Sequence, residues 1–261
     1  LPLSGVVDNT GTIALGDGTG GASLEIVENG AMLQGGGTIL MSDSADNVIF
    51  GSDAGVTLTN VDNTISGAGQ IGDGQLGFVN EGTVIATGEH ALTIDASGTI
   101  SNTGTLEATG SGGLVVDDAL VNDGLLWANG GNLNLEVDVS GSGHLQVDGV
   151  ARVEFGGSFS ENIALGADAD ATIVIDHAAG FSGSIAGLDG SDTLQFGDIS
   201  SANATVSYVE NAEGTGGALT ISDGTHIADI ALEGQYDASG FHLSSSDDGG
   251  SLLDYSGVDW D

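Results

Sequence analysis

Apolar and polar residues alternate in short bursts along this chain, and the bursts recur. Val84 and Ala86, Leu106 and Ala108, and Leu126 and Ala128 share one parity. Period-two alternation points one set of side chains inward and the next outward, the pattern of a half-buried strand. The strands fall in aligned blocks: Asn80-Glu81-Gly82-Thr83-Val84-Ile85-Ala86, Asn102-Thr103-Gly104-Thr105-Leu106-Glu107-Ala108 and Asn122-Asp123-Gly124-Leu125-Leu126-Trp127-Ala128. Their leading asparagines are 22 and then 20 residues apart. Asn9-Thr10-Gly11-Thr12-Ile13-Ala14 is a looser copy. Phe78, Ile100 and Leu120, two residues before each Asn, continue the inward set. A glycine follows each block, then a second apolar strand: Leu92 with Ile94, Leu114 with Val116, Leu133 with Leu135.

A repeat of about 20 residues with two or three short strands is one coil of a β-helix, whose apolar face is buried only when coils stack. The pattern therefore predicts an all-β fold, a β-solenoid (parallel β-helix), with Val84, Leu106 and Leu126 in one internal column. The asparagines share the inward parity. They read either as corner residues, since Asn forms Asx turns, or as an internal ladder of stacked, hydrogen-bonded amides. Gly35-Gly36-Gly37, Gly67-Ala68-Gly69 and Gly141-Ser142-Gly143 each lead into a strand and read as tight corners.

The pattern changes near Phe159. Residues 1–158 read as the β-helix repeat region and 159–261 as a C-terminal β-rich unit that caps the solenoid or docks on its last coil. A cap is expected, because an open coil end is a pairing edge. Leu219 to Ser222, Asp223-Gly224 and Thr225 to Leu232 predict a hairpin with a two-residue type I′ turn. Phe181, Phe196, Tyr208, Tyr236, Phe241 and Tyr255 concentrate here.

Charge then narrows the partners. The 261 residues hold 38 Asp and Glu against one basic residue, Arg152, for a formal net charge of −37. Nucleic acid and anionic lipid surfaces demand Lys and Arg, so neither is an expected partner. Hydrophobic residues at 39% argue against a disordered acidic chain. The 47 Gly and single Pro are turn punctuation between strands. With no cysteine, disulfides and thiolate metal sites are excluded. No apolar run approaches the ~20 residues of a membrane helix. The residues after Leu1 lack the basic n-region of a signal peptide. A mature fragment of a longer protein and a chain with a C-terminal export signal both fit.

The run from Phe78 to Val147 resembles the β-strand repeats of large secreted bacterial proteins, haemagglutinin-like adhesins and autotransporter passengers among them. The C-terminal stretch resembles a unit recurring in type I-secreted, RTX-related proteins of alphaproteobacteria. It does so through Phe181-Ser182-Gly183-Ser184-Ile185, Gly190-Ser191-Asp192-Thr193-Leu194, Leu219 to Thr225, Ile230 to Tyr236 and Phe241-His242-Leu243. The resemblance implies a secreted, extracellular or cell-surface protein: an adhesin, a surface-layer or matrix component, or a calcium-dependent secreted protein.

Calcium is the first chemistry to weigh. Gly187-Leu188-Asp189-Gly190-Ser191-Asp192-Thr193-Leu194-Gln195 fits the RTX nonapeptide except at its second glycine. Asp189 and Asp192 are the candidate calcium ligands, although a β-roll site takes ligands from two consecutive turns. The bland reading is an Asp-Gly turn. Asp43 with Asp46, Asp117 with Asp118, Asp168 with Asp170 and Asp247 with Asp248 read singly as solvated loops, yet so many unpaired carboxylates favour some cation site.

Catalysis finds less support. A lyase acting on uronates needs several basic groups, and Arg152 is alone. A glycosidase needs two carboxylates at a defined separation, which spacing along the chain cannot supply. Trp127 lies between two inward residues and should face outward or sit at a corner; Trp260 is the other Trp. His90, His144, His177, His226 and His242 show no zinc-protease spacing. The Gly-Thr pairs at 11, 37, 82, 98 and 104 are irregularly spaced, so they read as turn-to-strand junctions rather than a flat, ice-binding rank. The expected function is a non-catalytic structural or adhesive module, stabilised by calcium and forming a homo-oligomer or polymer, with cell-surface polysaccharide as a candidate partner. The alternative is a β-helix carbohydrate-active enzyme such as a polysaccharide depolymerase.

Overall fold

The computed structural model describes residues 1–17 and 20–257. It is a β-solenoid of about nine turns. Each full coil carries three short strands, one per face. Leu92–Ile94, Ile100–Asn102 and Thr105–Ala108 make one coil; Leu114–Val116, Leu120–Asn122 and Leu125–Asn129 make the next. Every strand pairs in parallel with its counterpart, Leu92 beside Leu114, Ile100 beside Leu120, Leu106 beside Leu126. Val84 stands beside Leu106 in the same column, and all three column members are fully buried. Burying one such side chain contributes about 1.5–3 kcal/mol, and no coil could bury its own without a neighbour.

Parallel stacking runs past residue 158 without a break. Val150–Phe155 pairs along its whole length with Asp170–Ile175, which pairs in turn with Thr193–Phe196. The Asn-Gly corners that mark the earlier coils end before this point, but the inward alternation does not. Phe155, Phe159 and Phe181 fill the interior, with Phe155 and Phe159 centroids 4.2 Å apart. The pairing changes sense after Phe196. On one face Ser251–Tyr255 lies antiparallel to Thr193–Phe196, and Phe241–Ser245 antiparallel to Ser251–Tyr255. On another, Ile227–Glu233 continues parallel to Ser184–Ala186, then Gly216–Ser222 and Thr205–Glu210 add antiparallel strands. One 12-stranded sheet thus runs from Thr12–Leu15 at one end to Thr205–Glu210 at the other, so coils and cap share one ladder.

The hairpin forms with a longer turn than the sequence suggests. Ser222 pairs with Ile227, leaving four residues, 223–226, between the strands. The Asp223 carboxylate explains the extension: Oδ1 accepts from Thr225 N and His226 N, both at 2.7 Å, and Oδ2 from Ser200 N at 3.0 Å. A two-residue turn could not offer those donors.

Two ladders of side chains follow from the stacking. Thr12, Thr38, Thr64, Thr83 and Thr105 stand in one outward-facing rank. Their spacing in sequence is irregular because the extra residues are absorbed at corners; Thr12, Thr38, Thr83 and Thr105 each open a strand, as turn-to-strand junctions should, and stacking brings these junctions into line. Inside, Asn60 Nδ2 donates to Asn80 Oδ1 at 2.9 Å, Asn80 to Asn102 at 2.8 Å and Asn102 to Asn122 at 2.6 Å. All four side chains are fully buried, and several also donate to corner carbonyls. The asparagines are therefore both corner residues and an internal amide ladder.

The ladder ends unusually. The next position in register, two residues beyond the inward Val139, is Gly141, whose φ of +131° favours glycine. With no side chain there, Asn122 Nδ2 reaches past that coil to Glu161 Oε2 at 2.8 Å. Glu161 is 3% exposed and its Oε1 has no hydrogen-bond partner among the described residues. Burial pushes its carboxyl up to about 7, with the Asp123 charge adding to the rise and the Asn122 hydrogen bond opposing it.

Candidate functional site at the strand edges and the cap

The acidic residues at the corners take up backbone donors from adjacent coils. Asp123 Oδ1 accepts from Ser142 N at 2.9 Å and Ser142 Oγ at 2.8 Å. Asp138 Oδ1 accepts from Ser158 N at 2.8 Å and Ser158 Oγ at 2.7 Å. Asp62 and Asp118 take Gly36 N and Ala96 N in the same way. These hydrogen bonds hold the Asp123 and Asp138 carboxyls below the usual range. A carboxylate that clasps the neighbouring coil needs no basic partner, which is how a chain with one Arg folds. Arg152 itself pairs with Glu154 at 3.0 Å.

Asp192 makes the same clasp. It is buried; Oδ1 accepts from Ala171 N at 2.9 Å and Oδ2 from Asp189 N at 3.0 Å. Asp189 Oδ1 accepts from Ser191 N at 2.7 Å and from its hydroxyl. Burial pushes Asp192 up to about 6 against those backbone donors, helped by the charges of Asp189 and Asp170. Among the described residues, no three His, Asp or Glu side chains converge in a way that could hold a metal ion. Of the other acidic pairs, Asp43 binds His90 rather than Asp46, accepting from His90 N at 3.0 Å. Asp117 and Asp118 belong to a line of acids with Asp73, Asp95 and Glu136. Burial raises Asp95 and Asp117, and the neighbouring carboxylates of the line raise both further.

Trp127 faces outward, as its parity requires, and is half-buried. Its Nε1 donates to Asp148 Oδ2 at 2.7 Å. Glu107 and Gln146 flank it in register, and Glu107 accepts from Asn129 at 2.8 Å. Trp260 lies outside the described residues.

Both ends of the stack present strand edges. Pro2–Asp8 pairs with Ser23–Gln34 and Thr12–Leu15 with Thr38–Met41, and among the described strands neither has a partner on its other side. Leu1 and Val6 are 64% and 66% exposed there. At the far end Thr205–Glu210 pairs, among the described strands, only with Gly216–Ser222, and Val209 is 68% exposed. Ser251–Tyr255 lies between two partners and is not an edge.

A scan against protein-family models finds no match, and a search of curated proteins finds none. The fold and its surfaces therefore carry the functional reading.

The cap also holds a groove. A cavity of about 570 Å³ is lined by Tyr208, Glu210, Gln235, Tyr236, Asp237 and Ala238. Tyr208, Tyr236, Phe241 and Tyr255 form a contiguous ring cluster behind it. The concentration of aromatics was legible in the sequence; the groove was not, because its two walls are far apart along the chain.

Proposed function

We propose that this protein is a non-catalytic structural or adhesive module of a bacterial surface layer, matrix or fibre, secreted to the cell exterior and self-associating through its strand edges. The observation that carries this reading is the pair of unpartnered edges at opposite ends of one 12-stranded sheet. Edge strands with exposed apolar residues and no Lys are templates for further pairing. Two such ends on one molecule favour head-to-tail contact, which gives a fibre when it does not close.

Net charge sets the condition for assembly. Chains of −37 repel one another. Calcium, or another divalent ion bridging carboxylates such as those of the Asp95 and Asp117 line, relieves that repulsion more than sodium at equal ionic strength. Light scattering at rising protein concentration should show growth in calcium that sodium does not reproduce, and Ala14→Lys with Val209→Lys, exposed positions on the two end strands, should suppress it. A monomer under all of these conditions would refute edge assembly.

The alternative, a carbohydrate-active enzyme, draws on Glu210 and Asp237 beside two tyrosines in the cap groove. A general acid needs a raised pKa. The Ser239 backbone and hydroxyl hold Asp237 low instead, which suits a fixed acceptor. Turnover of any polysaccharide that Glu210→Gln abolishes would restore the enzymatic reading.

A further inference from the structure

We propose that the cap groove binds a compact organic ammonium group, through the corner between Tyr208 and Tyr236 and the carboxylates of Glu210 and Asp237. The two rings meet edge to face, centroids 5.9 Å apart and planes at 73°. Perpendicular aromatic walls offer a cation the negative face of one ring while the other closes the side, and attraction is useful within about 6 Å of a ring centroid. Asp237 is fixed as an ionised acceptor by Ser239 N and Oγ, both at 2.8 Å. Glu210 is exposed at the end of its strand, on the same groove wall as Tyr208.

Charge decides between ligand classes. The groove is lined by two carboxylates and no basic side chain, and the one Arg is paired elsewhere with Glu154. An anion is repelled here. A neutral sugar gains contact but nothing from the field. An ammonium gains from both the rings and the carboxylates.

Tyr208 backs the groove as a buried wall. Tyr208 is 9% exposed, and its hydroxyl, shielded from solvent, has no hydrogen-bond partner among the described residues. The other two tyrosine hydroxyls of the cluster are bonded, Tyr236 donating to Glu233 O at 3.3 Å and Tyr255 accepting from Asp237 N at 3.1 Å. Burial and the Glu210 charge both raise the Tyr208 pKa, which keeps that hydroxyl protonated beside the carboxylate. The same ammonium chemistry occurs on aliphatic diamines and on amino sugars bearing a free amine.

The test uses the full chain, ¹⁵N-labelled, dilute and without calcium, so that it does not depend on edge assembly. Putrescine, D-glucosamine, N-acetyl-D-glucosamine and glucuronate are titrated at pH 7 and constant ionic strength, and amide shifts are followed. Putrescine, glucosamine or both should give saturable shifts confined to Glu210 and 235–238; which of the two binds identifies a linear amine or an amino sugar. Glu210→Gln, an exposed change that leaves the fold intact, should weaken binding about tenfold, the scale of one charge-assisted contact. Tyr236→Leu should weaken it similarly, and remote Glu89→Gln should not. Three results would overturn the proposal: no localised shift with either amine, an equal response to N-acetylglucosamine, or shifts spread over the chain and reduced as much by Glu89→Gln as by Glu210→Gln.

Discussion

Asn102 shows how much one residue decides in this interior. It accepts from Asn80 and donates to Asn122, and its removal leaves both neighbours incomplete. Asn102→Ala should destabilise the fold by about 2–4 kcal/mol, the cost of stranding buried polar groups, read as a lower urea midpoint. Leu106→Asp should be worse, since no basic group stands nearby to pair an unpartnered buried carboxylate. Glu161 is the opposite case, a buried carboxyl already present. Its pKa rises from 4.5 in the unfolded chain to about 7 in the fold. The folded state therefore holds the proton more tightly, and the contribution is fully present below about pH 4.5 and is lost as pH climbs through 7. Glu161→Gln should flatten the fall in stability between about pH 5 and 8 and stabilise the protein at pH 8 by up to about 3 kcal/mol. A wild-type slope retained in the variant would place the titrating group elsewhere. The inward parity of the asparagines was readable in the sequence. Glu161 was not, because its partner lies two coils away and is reached only across the gap at Gly141.

At the scale of the element, alternation was the strongest signal. It placed the Val84, Leu106 and Leu126 column, because a one-residue slip would turn every inward side chain outward. The boundary read near Phe159 followed the loss of the Asn-x-Gly corners, whereas alternation and parallel pairing continue through Thr193–Phe196. Corner chemistry misled in one further place. Asp-Gly at 223–224 suggested a tight turn, and the Asp223 side chain builds a longer one by taking backbone donors. Asp192 matched a calcium motif, and both its oxygens bind backbone N–H groups. The clasps make a prediction of their own. Asp123 and Asp138 have depressed pKa values in the fold, so the stability they add is present above the normal carboxylate range and is lost as pH falls through it. Asp123→Ala with Asp138→Ala should lower Tm at pH 6 and shrink the further loss on acidification to pH 3. Wild-type acid sensitivity in the double variant would show that the clasps are incidental.

For the whole molecule, charge and topology pull in opposite directions. A net charge of −37 keeps chains apart, while the sheet ends invite pairing. A divalent cation that binds the folded chain and not the unfolded one raises stability by mass action. Tm should therefore rise from chelator to millimolar calcium at fixed ionic strength, and an unchanged Tm would argue against bridging ions. Composition argues against nucleic acid and anionic lipid as partners, whereas the location of free edges needed the fold, since pairing of Ser251–Tyr255 could not be told from exposure by sequence alone. The most direct test of edge assembly is amide hydrogen exchange in Thr12–Leu15 and Thr205–Glu210, the two ends of the 12-stranded sheet, measured against protein concentration in calcium. Head-to-tail pairing predicts that outward-facing amides of both strands gain protection together as concentration rises, while exposed amides of the corner turns do not. Exchange at both edges that stays the same from dilute to concentrated protein would contradict it.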